Sequence, residues 1–119
     1  MRRITWISAI ASAVLATACA TASPPPTSAF VESRAAIRVA EQSGADRDPR
    51  AAQYLALARQ QIADAERLTR ERSHWSASRR LEQAQVNAEM AAELARQSSV
   101  RAEAAATQRE IDELRMRAR

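Results

Sequence analysis

The distribution of helix-breaking residues is the feature that most constrains how this chain folds. The sequence has one glycine, Gly44, and four prolines, at positions 24–26 and 49. The 70 residues from 50 to 119 contain neither. Glycine and proline interrupt helices most strongly, and 29 of the 119 residues are alanine, the best helix former. The sequence therefore predicts an all-α fold with long helices.

Apolar spacing predicts an antiparallel helical hairpin at about residues 49–95. Its first helix has Asp48 as the cap and Pro49 at the first helical position, and is expected to run to about Arg72. Ser73 is expected to cap the next helix, which continues to the C-terminus. The small side chains of the two apolar stripes favour close helix packing. The stripes are Ala51, Leu55, Ala58, Ile62 and Ala65, then Ala77, Leu81, Ala84, Ala88, Ala91 and Ala95.

A shorter helix is predicted before the hairpin. It is expected to use Thr27 or Ser28 as its cap and to stop at Ser43–Gly44, where glycine can adopt the left-handed conformation. Its apolar stripe consists of Phe30, Ile37 and Ala40. Together these segments form a three-helix arrangement over residues 29–119, with a long, coiled-coil-like C-terminal helix.

The end of the long helix is the predicted partner-binding segment. At about 1.5 Å per residue it outruns the other helix of the hairpin, which leaves residues 96–117 as an overhang. Glu113 and Arg117 are spaced for a helical ion pair. Four apolar residues there predict binding to a protein partner or self-association: Val100, Ala104, Ile111 and Leu114.

Residues 1–18 have the plan of a lipoprotein signal peptide. Arg2 and Arg3 precede an uncharged, largely apolar stretch from Ile4 to Leu15, and small residues follow up to Ala18. Positive charge before the apolar segment keeps that end in the cytoplasm. We expect this segment to form a signal-peptide helix and to direct export.

Cys19 is the single cysteine and the expected lipidation site. The segment that ends at Cys19 resembles the bacterial lipobox, with the small residue Ala18 just before the cysteine. The lipobox leucine usually occupies the position that Ala16 has here. The resemblance implies cleavage between Ala18 and Cys19, an S-diacylglyceryl group and an N-acyl chain. Two alternatives stay open, namely an ordinary signal cleaved after an A-x-A pattern and an uncleaved anchor from Ile4 to Ala20.

Residues 19–28 are predicted to be the lipidated cysteine and a Pro-rich tether, because three consecutive prolines favour extended polyproline geometry. Ala20 follows the cysteine, at the position where an aspartate would signal retention of a lipoprotein in the inner membrane. In Gram-negative bacteria that resemblance implies a lipid anchor in the inner leaflet of the outer membrane, facing the periplasm.

Three stretches resemble the Ala-rich bacterial envelope lipoproteins classed as domain of unknown function 4398. They are Ala40–Ala45 followed by Pro49, Leu57–Ala65, and Trp75–Ala91. The resemblance covers about residues 35 to 95. Asn87 and Trp75 depart from the commoner aspartate and tyrosine. The resemblance to this family implies a lipidated helical module and assigns no activity.

The composition argues against several classes of function. After the leader, 16 arginines and 14 acidic residues leave a net charge of +2, and their alternation along the helices does not suit nucleic-acid binding. One cysteine and one histidine give no soft ligands for a metal site. His74 has no recognisable nucleophile near it, so no catalytic residue and no cofactor is expected. Without lysine, no covalent link to peptidoglycan through that residue is expected.

The expected function is that of a periplasmic lipoprotein, held to a membrane by the lipid on Cys19 and acting as a structural or adaptor module through helix–helix contacts. The alternative is a binding module for a small apolar or peptidic envelope ligand, captured in an Ala-lined groove beside Trp75 and Tyr54.

Overall fold

The computed structural model describes residues 23–119, and the predicted signal peptide and Cys19 lie outside this range. Three α-helices make up most of it: α1 (Thr27–Gln42), α2 (Pro49–Arg70) and α3 (His74–Arg117). A short 3₁₀ helix, Ala45–Arg47, connects α1 to α2. The predicted all-α fold with a helical hairpin and a long C-terminal helix is confirmed. No helix among residues 23–119 is long and apolar enough to cross a membrane.

The start of α2 follows the sequence signals. The Asp48 carboxylate accepts hydrogen bonds from the backbone N–H groups of Arg50 (3.0 Å) and Ala51 (2.8 Å), and Pro49 is the first helical residue. The hydrogen bond from the Ala51 N–H, with a smaller contribution from Arg50, lowers the pKa of Asp48 below its ordinary value of 3.8. Asp48 therefore supports α2 in its charged form.

The ends of α1 and α2 both use a residue with a left-handed backbone. Gly44 follows α1 with φ 86°, as predicted. Helix α2 ends at Arg70, slightly before the predicted Arg72, because Arg72 itself adopts φ 60°. The N–H of Ser73 donates to the carbonyl of Leu68 at 2.9 Å, and the N–H of Arg72 donates to that of Thr69 at 3.0 Å. This Schellman pattern ends the helix without the usual glycine.

The N-cap of α3 is Ser73, as predicted, whereas the N-cap of α1 is Pro26 instead of Thr27 or Ser28. Helix α1 already includes Thr27, and the backbone carbonyl of Pro26, not a side chain, accepts from the N–H of Phe30 at 3.1 Å. Ser73 does precede α3, but its hydroxyl makes no capping hydrogen bond. The bond to the Pro26 carbonyl is the first regular hydrogen bond of α1, so both helices begin without a side-chain cap.

The core lies where the stripes of the three helices meet. Every residue of the two predicted hairpin stripes is buried, as are Ile37 and Ala40 of α1. Eleven of the fifteen buried apolar residues in the described part of the chain are alanine, so the helices pack closely with few large side chains between them. Ser33 is also buried, and its hydroxyl donates to the carbonyl of Phe30 at 3.2 Å.

Polar contacts between the helices show how the helices run relative to one another. Arg34 of α1 donates to Glu66 of α2 at 2.8 Å, and Arg59 of α2 donates to Glu41 of α1 at 2.6 Å. These pairs run in opposite directions along the chain, so α1 and α2 are antiparallel. Helix α3 returns antiparallel to α2, with Asn87 donating to the side chain of Gln61 at 2.8 Å. Helix α1 therefore packs on the hairpin and runs parallel to α3.

Candidate partner-binding surface

The C-terminal part of α3 extends beyond the bundle. The last buried side chain of α3 is Ala95 and the last half-buried one is Ser98, and every residue from Ser99 onward is exposed. The segment 99–117, here called the overhang, remains helical to Arg117. It starts three residues later than the predicted segment, because packing against the bundle continues to Ser98.

The four predicted binding residues lie on one exposed face of the overhang. The exposed fractions are 64% for Val100, 38% for Ile111 and 56% for Leu114, and Ala104 is also exposed. With Thr107 as a fifth member, the spacing between successive residues alternates between four and three. This spacing places all five residues on one side of a helix. We call this face the stripe, completed by Ala118 just after the helix.

Thr107 was missed by the sequence reasoning because it is polar. Together with Val100, Ala104 and Ile111 it lines a shallow open depression, whose rim is formed by Glu103 and Gln108. The threonine methyl group can pack against a neighbouring helix at this spacing. Regular spacing, not hydrophobicity, was the signal that could have identified it.

The stripe faces away from the bundle. At 100° per residue, Val100 lies about 140° around α3 from Ala95, which is buried against the other helices. The stripe is thus a second face of α3 and not an extension of the first. A helix docking on it would not compete with α1 or α2 for the same side of α3.

Charged residues flank the stripe on both sides. At the same 100° per residue, Glu103 and Glu110 lie along one edge, and Arg101 and Arg115 along the other. Arg115 lies 3.6 Å from Asp112 on its own helix, and its side chain is 73% exposed. The predicted Glu113–Arg117 pair is not within ion-pair distance. The ion pair at this end of α3 joins Arg115 and Asp112.

Within residues 23–119, the alanines expected to line a groove for a small ligand pack between the helices. The alanines that would line it are buried between helices, with Ala77, Ala84 and Ala88 fully inaccessible. Trp75 lies at the start of α3, whereas Tyr54 lies near the start of the antiparallel α2. The pairing of Gln61 with Asn87 separates these two aromatic residues by roughly 25–30 Å along the hairpin.

The described residues contain no candidate metal centre. No group of three histidine, cysteine or acidic side chains in positions 23–119 could hold a metal ion. His74 begins α3 with its Nδ1 buried and without a hydrogen-bond partner in that part of the chain. Cys19 and Ala18 lie outside it, so lipidation stays a prediction.

Comparisons with models of protein families, with curated proteins and with solved structures find no match to this chain. The resemblance to the Ala-rich envelope lipoproteins stays a prediction that rests on the three sequence stretches. The leader sequence and the geometry of the overhang are the features that bear on function.

Proposed function

We propose that the chain is a membrane-anchored envelope lipoprotein that acts as a structural or adaptor module. Lipid on Cys19 holds it to the membrane, and the stripe of the overhang binds a helical protein partner. The module carries out no catalysis. In a Gram-negative cell, the absence of an aspartate after Cys19 supports the outer membrane as the location, with the helices in the periplasm.

The observation that carries this proposal is the relative direction of the tether and the overhang. The tether joins α1 at its N-terminal end, just before Thr27. Because α1 and α3 are parallel, the C-terminal overhang leaves the opposite end of the bundle. Helix α3 has 44 residues and so spans about 66 Å, and Val100 lies about 39 Å from its start. A membrane at the tether end would leave the stripe accessible.

The surface chemistry of the overhang suits a helical partner. An exposed apolar row bordered by charged residues is the face that amphipathic helices present to one another. Val100, Ile111 and Leu114 each keep more than a third of their surface exposed, although they are apolar. Burying them against another helix would be favourable, by roughly 25 cal/mol per Å² of apolar surface.

The anchor is tested by replacing Cys19 with serine. We expect wild type to incorporate labelled fatty acid and to fractionate with membranes, and Cys19→Ser to lose both properties. Ser23→Ala, a change in the tether that leaves the cysteine intact, is the control and should behave as wild type. Wild-type protein that incorporates no lipid would refute the anchor.

The partner surface is tested with a photo-crosslinking amino acid at Ala104 or Ala105. Both are exposed alanines on the same turn, but only Ala104 belongs to the stripe. We expect cross-links to a helical protein from position 104 and few from position 105. Equal yields from both positions, or none from position 104, would refute the stripe as a binding surface.

A further inference from the structure

The pattern of large residues in the stripe indicates which partner it fits. The spacing from Val100 to Ala118 assigns Ala104, Ile111 and Ala118 to the a positions of a coiled coil, and Val100, Thr107 and Leu114 to the d positions. A β-branched residue at a with leucine at d favours parallel two-stranded coiled coils. Ile111 and Leu114 provide this combination at the apolar end of the stripe.

We propose that the partner of the stripe is the stripe of a second copy of this chain, packed parallel and in register. This rests on the proposed function in one respect, that the stripe is the partner-binding surface. The two overhangs form a short two-stranded coiled coil from Val100 to Ala118. The resulting assembly is a dimer that joins two bundles through their α3 helices.

In the C-terminal half of the stripe the edge charges complement each other in this arrangement, whereas nearer the bundle Arg101 faces the partner's Arg96, where the two helices diverge. In a parallel coiled coil, a g residue faces the e residue five positions later in the partner. Glu110 therefore faces the partner's Arg115, and by symmetry the same pair forms twice. Glu103 faces the partner's Gln108, which can donate a hydrogen bond to it. The exposed side chain of Arg115 is free to reach across, since its contact with Asp112 is a 3.6 Å surface pair.

The antiparallel arrangement that overlaps the whole stripe has less favourable charges. There, equivalent edges of the two helices face each other. Glu110 would lie against the partner's Glu110, and Arg101 against the partner's Arg115. The attraction between Glu103 and the partner's Arg117 would be offset by these like-charge pairs. The parallel arrangement removes the repulsion at the centre of the overlap.

The bundles do not obstruct the parallel dimer. Because the stripe lies about 140° around α3 from the buried face, α1 and α2 would lie on the outer sides of the dimer. Nearer the bundle, Glu93 occupies the same side of α3 as Val100, and it would approach the partner's Glu93. This repulsion makes the two α3 helices diverge before Val100, so the coiled coil is confined to the overhang.

The orientation of the dimer is tested with single cysteines. Val100→Cys places a thiol next to that of the partner's position 100 in the parallel dimer, whereas in the antiparallel overlap the two would be about 27 Å apart. We expect Val100→Cys to form a disulfide-linked dimer and Ala102→Cys, on the other side of the helix, to form little. Each variant is made both in the wild-type chain and in the Cys19→Ser chain, and in the latter Cys19 cannot supply the thiol.

Three results would overturn the proposal. A dimer formed only when Val100→Cys and Ala118→Cys chains are mixed would show the antiparallel arrangement. A Val100→Cys chain that is cross-linked to a different protein, or that remains monomeric at all concentrations, would exclude a second copy as the partner. A Val100→Cys dimer that forms while wild-type Cys19 carries no lipid would support the dimer and refute only the anchor.

The charge pairing is tested in the Val100→Cys chain. Glu110→Arg and Arg115→Glu each replace two attractive pairs with two repulsive ones, so we expect each to weaken dimerisation by about tenfold. The double variant restores opposite charges and should recover most of the disulfide-linked dimer that the Val100→Cys chain forms without these two changes. All these positions are exposed, so the bundle fold should be unaffected. Single reversals without effect, or a double variant no better than either, would contradict the pairing.

Discussion

Leu55 and Leu57 provide a matched test of where the core of the bundle lies. They are two residues apart on α2, but Leu55 is fully buried and Leu57 is 44% exposed. Replacing either with alanine removes the same three carbon atoms. The chemical change and the helix are therefore constant, and only the burial of the side chain differs.

The expected loss of stability follows from that burial. Three buried carbons are worth about 2.4 kcal/mol in transfer free energy, and a residual cavity raises the cost of Leu55→Ala to about 3 kcal/mol. Leu57 is about half exposed, so Leu57→Ala should cost only about 1.3 kcal/mol. For a domain of this size, the melting temperatures should fall by roughly 12 °C or more and by about 5 °C respectively.

Urea unfolding followed by far-ultraviolet circular dichroism measures both free energies of unfolding. The slope against urea concentration should be unchanged, so that the midpoint alone reports the loss. Equal losses for the two variants, or a cost of Leu55→Ala below about 1 kcal/mol, would refute the assignment of the core to the Ala51–Ala65 stripe.

The helix ends yield three further predictions. Gly44→Ala should lower the free energy of unfolding by about 1 kcal/mol, because its φ of 86° is unfavourable for a side chain, although the nearest atom, in Arg47, would be 3.8 Å from the new Cβ. Arg72→Gly should raise the free energy of unfolding by about 0.5–1 kcal/mol in the same urea assay. A stabilising Gly44→Ala or a destabilising Arg72→Gly would contradict the importance of the left-handed backbone. Asp48→Ala should destabilise the bundle at neutral pH, and because the pKa of Asp48 is lowered in the folded state, its contribution is full above the ordinary value of 3.8 and disappears as the pH falls through the folded-state pKa. A difference in unfolding free energy between wild type and Asp48→Ala that stays constant on acidification would argue against this.

The heptad stripes could be predicted from the sequence because their spacing is a local property of the chain. The same is true of Asp48, Pro49 and Gly44, whose backbone preferences act within a single turn. The end of α2 could not be predicted, because Arg72 adopts a conformation that its own side chain disfavours. Hydrogen bonds from Arg72 and Ser73 to α2 hold it there, and no residue type in the sequence signals them.

The predicted binding residues are exposed, as their position beyond the N-terminal start of α2 requires. The sequence indicated them through the mismatch in length between α2 and α3. It did not indicate Thr107, because hydrophobicity was the criterion, nor the pairing of Arg115 with Asp112. Helical spacing allows Arg115 several acidic neighbours, and the choice among them depends on side-chain conformations that no pattern encodes.

The separation of the buried face from the overhang has a consequence for how such a chain can change. No side chain after Ser98 is buried, so the length of α3 is not constrained by the folding of the bundle. Insertion or deletion of seven residues there would move the C-terminus by about 10.5 Å while preserving the heptad spacing of the stripe. The distance reached by the C-terminus can therefore vary among related chains in steps of about two helical turns, with the stability of the bundle unchanged.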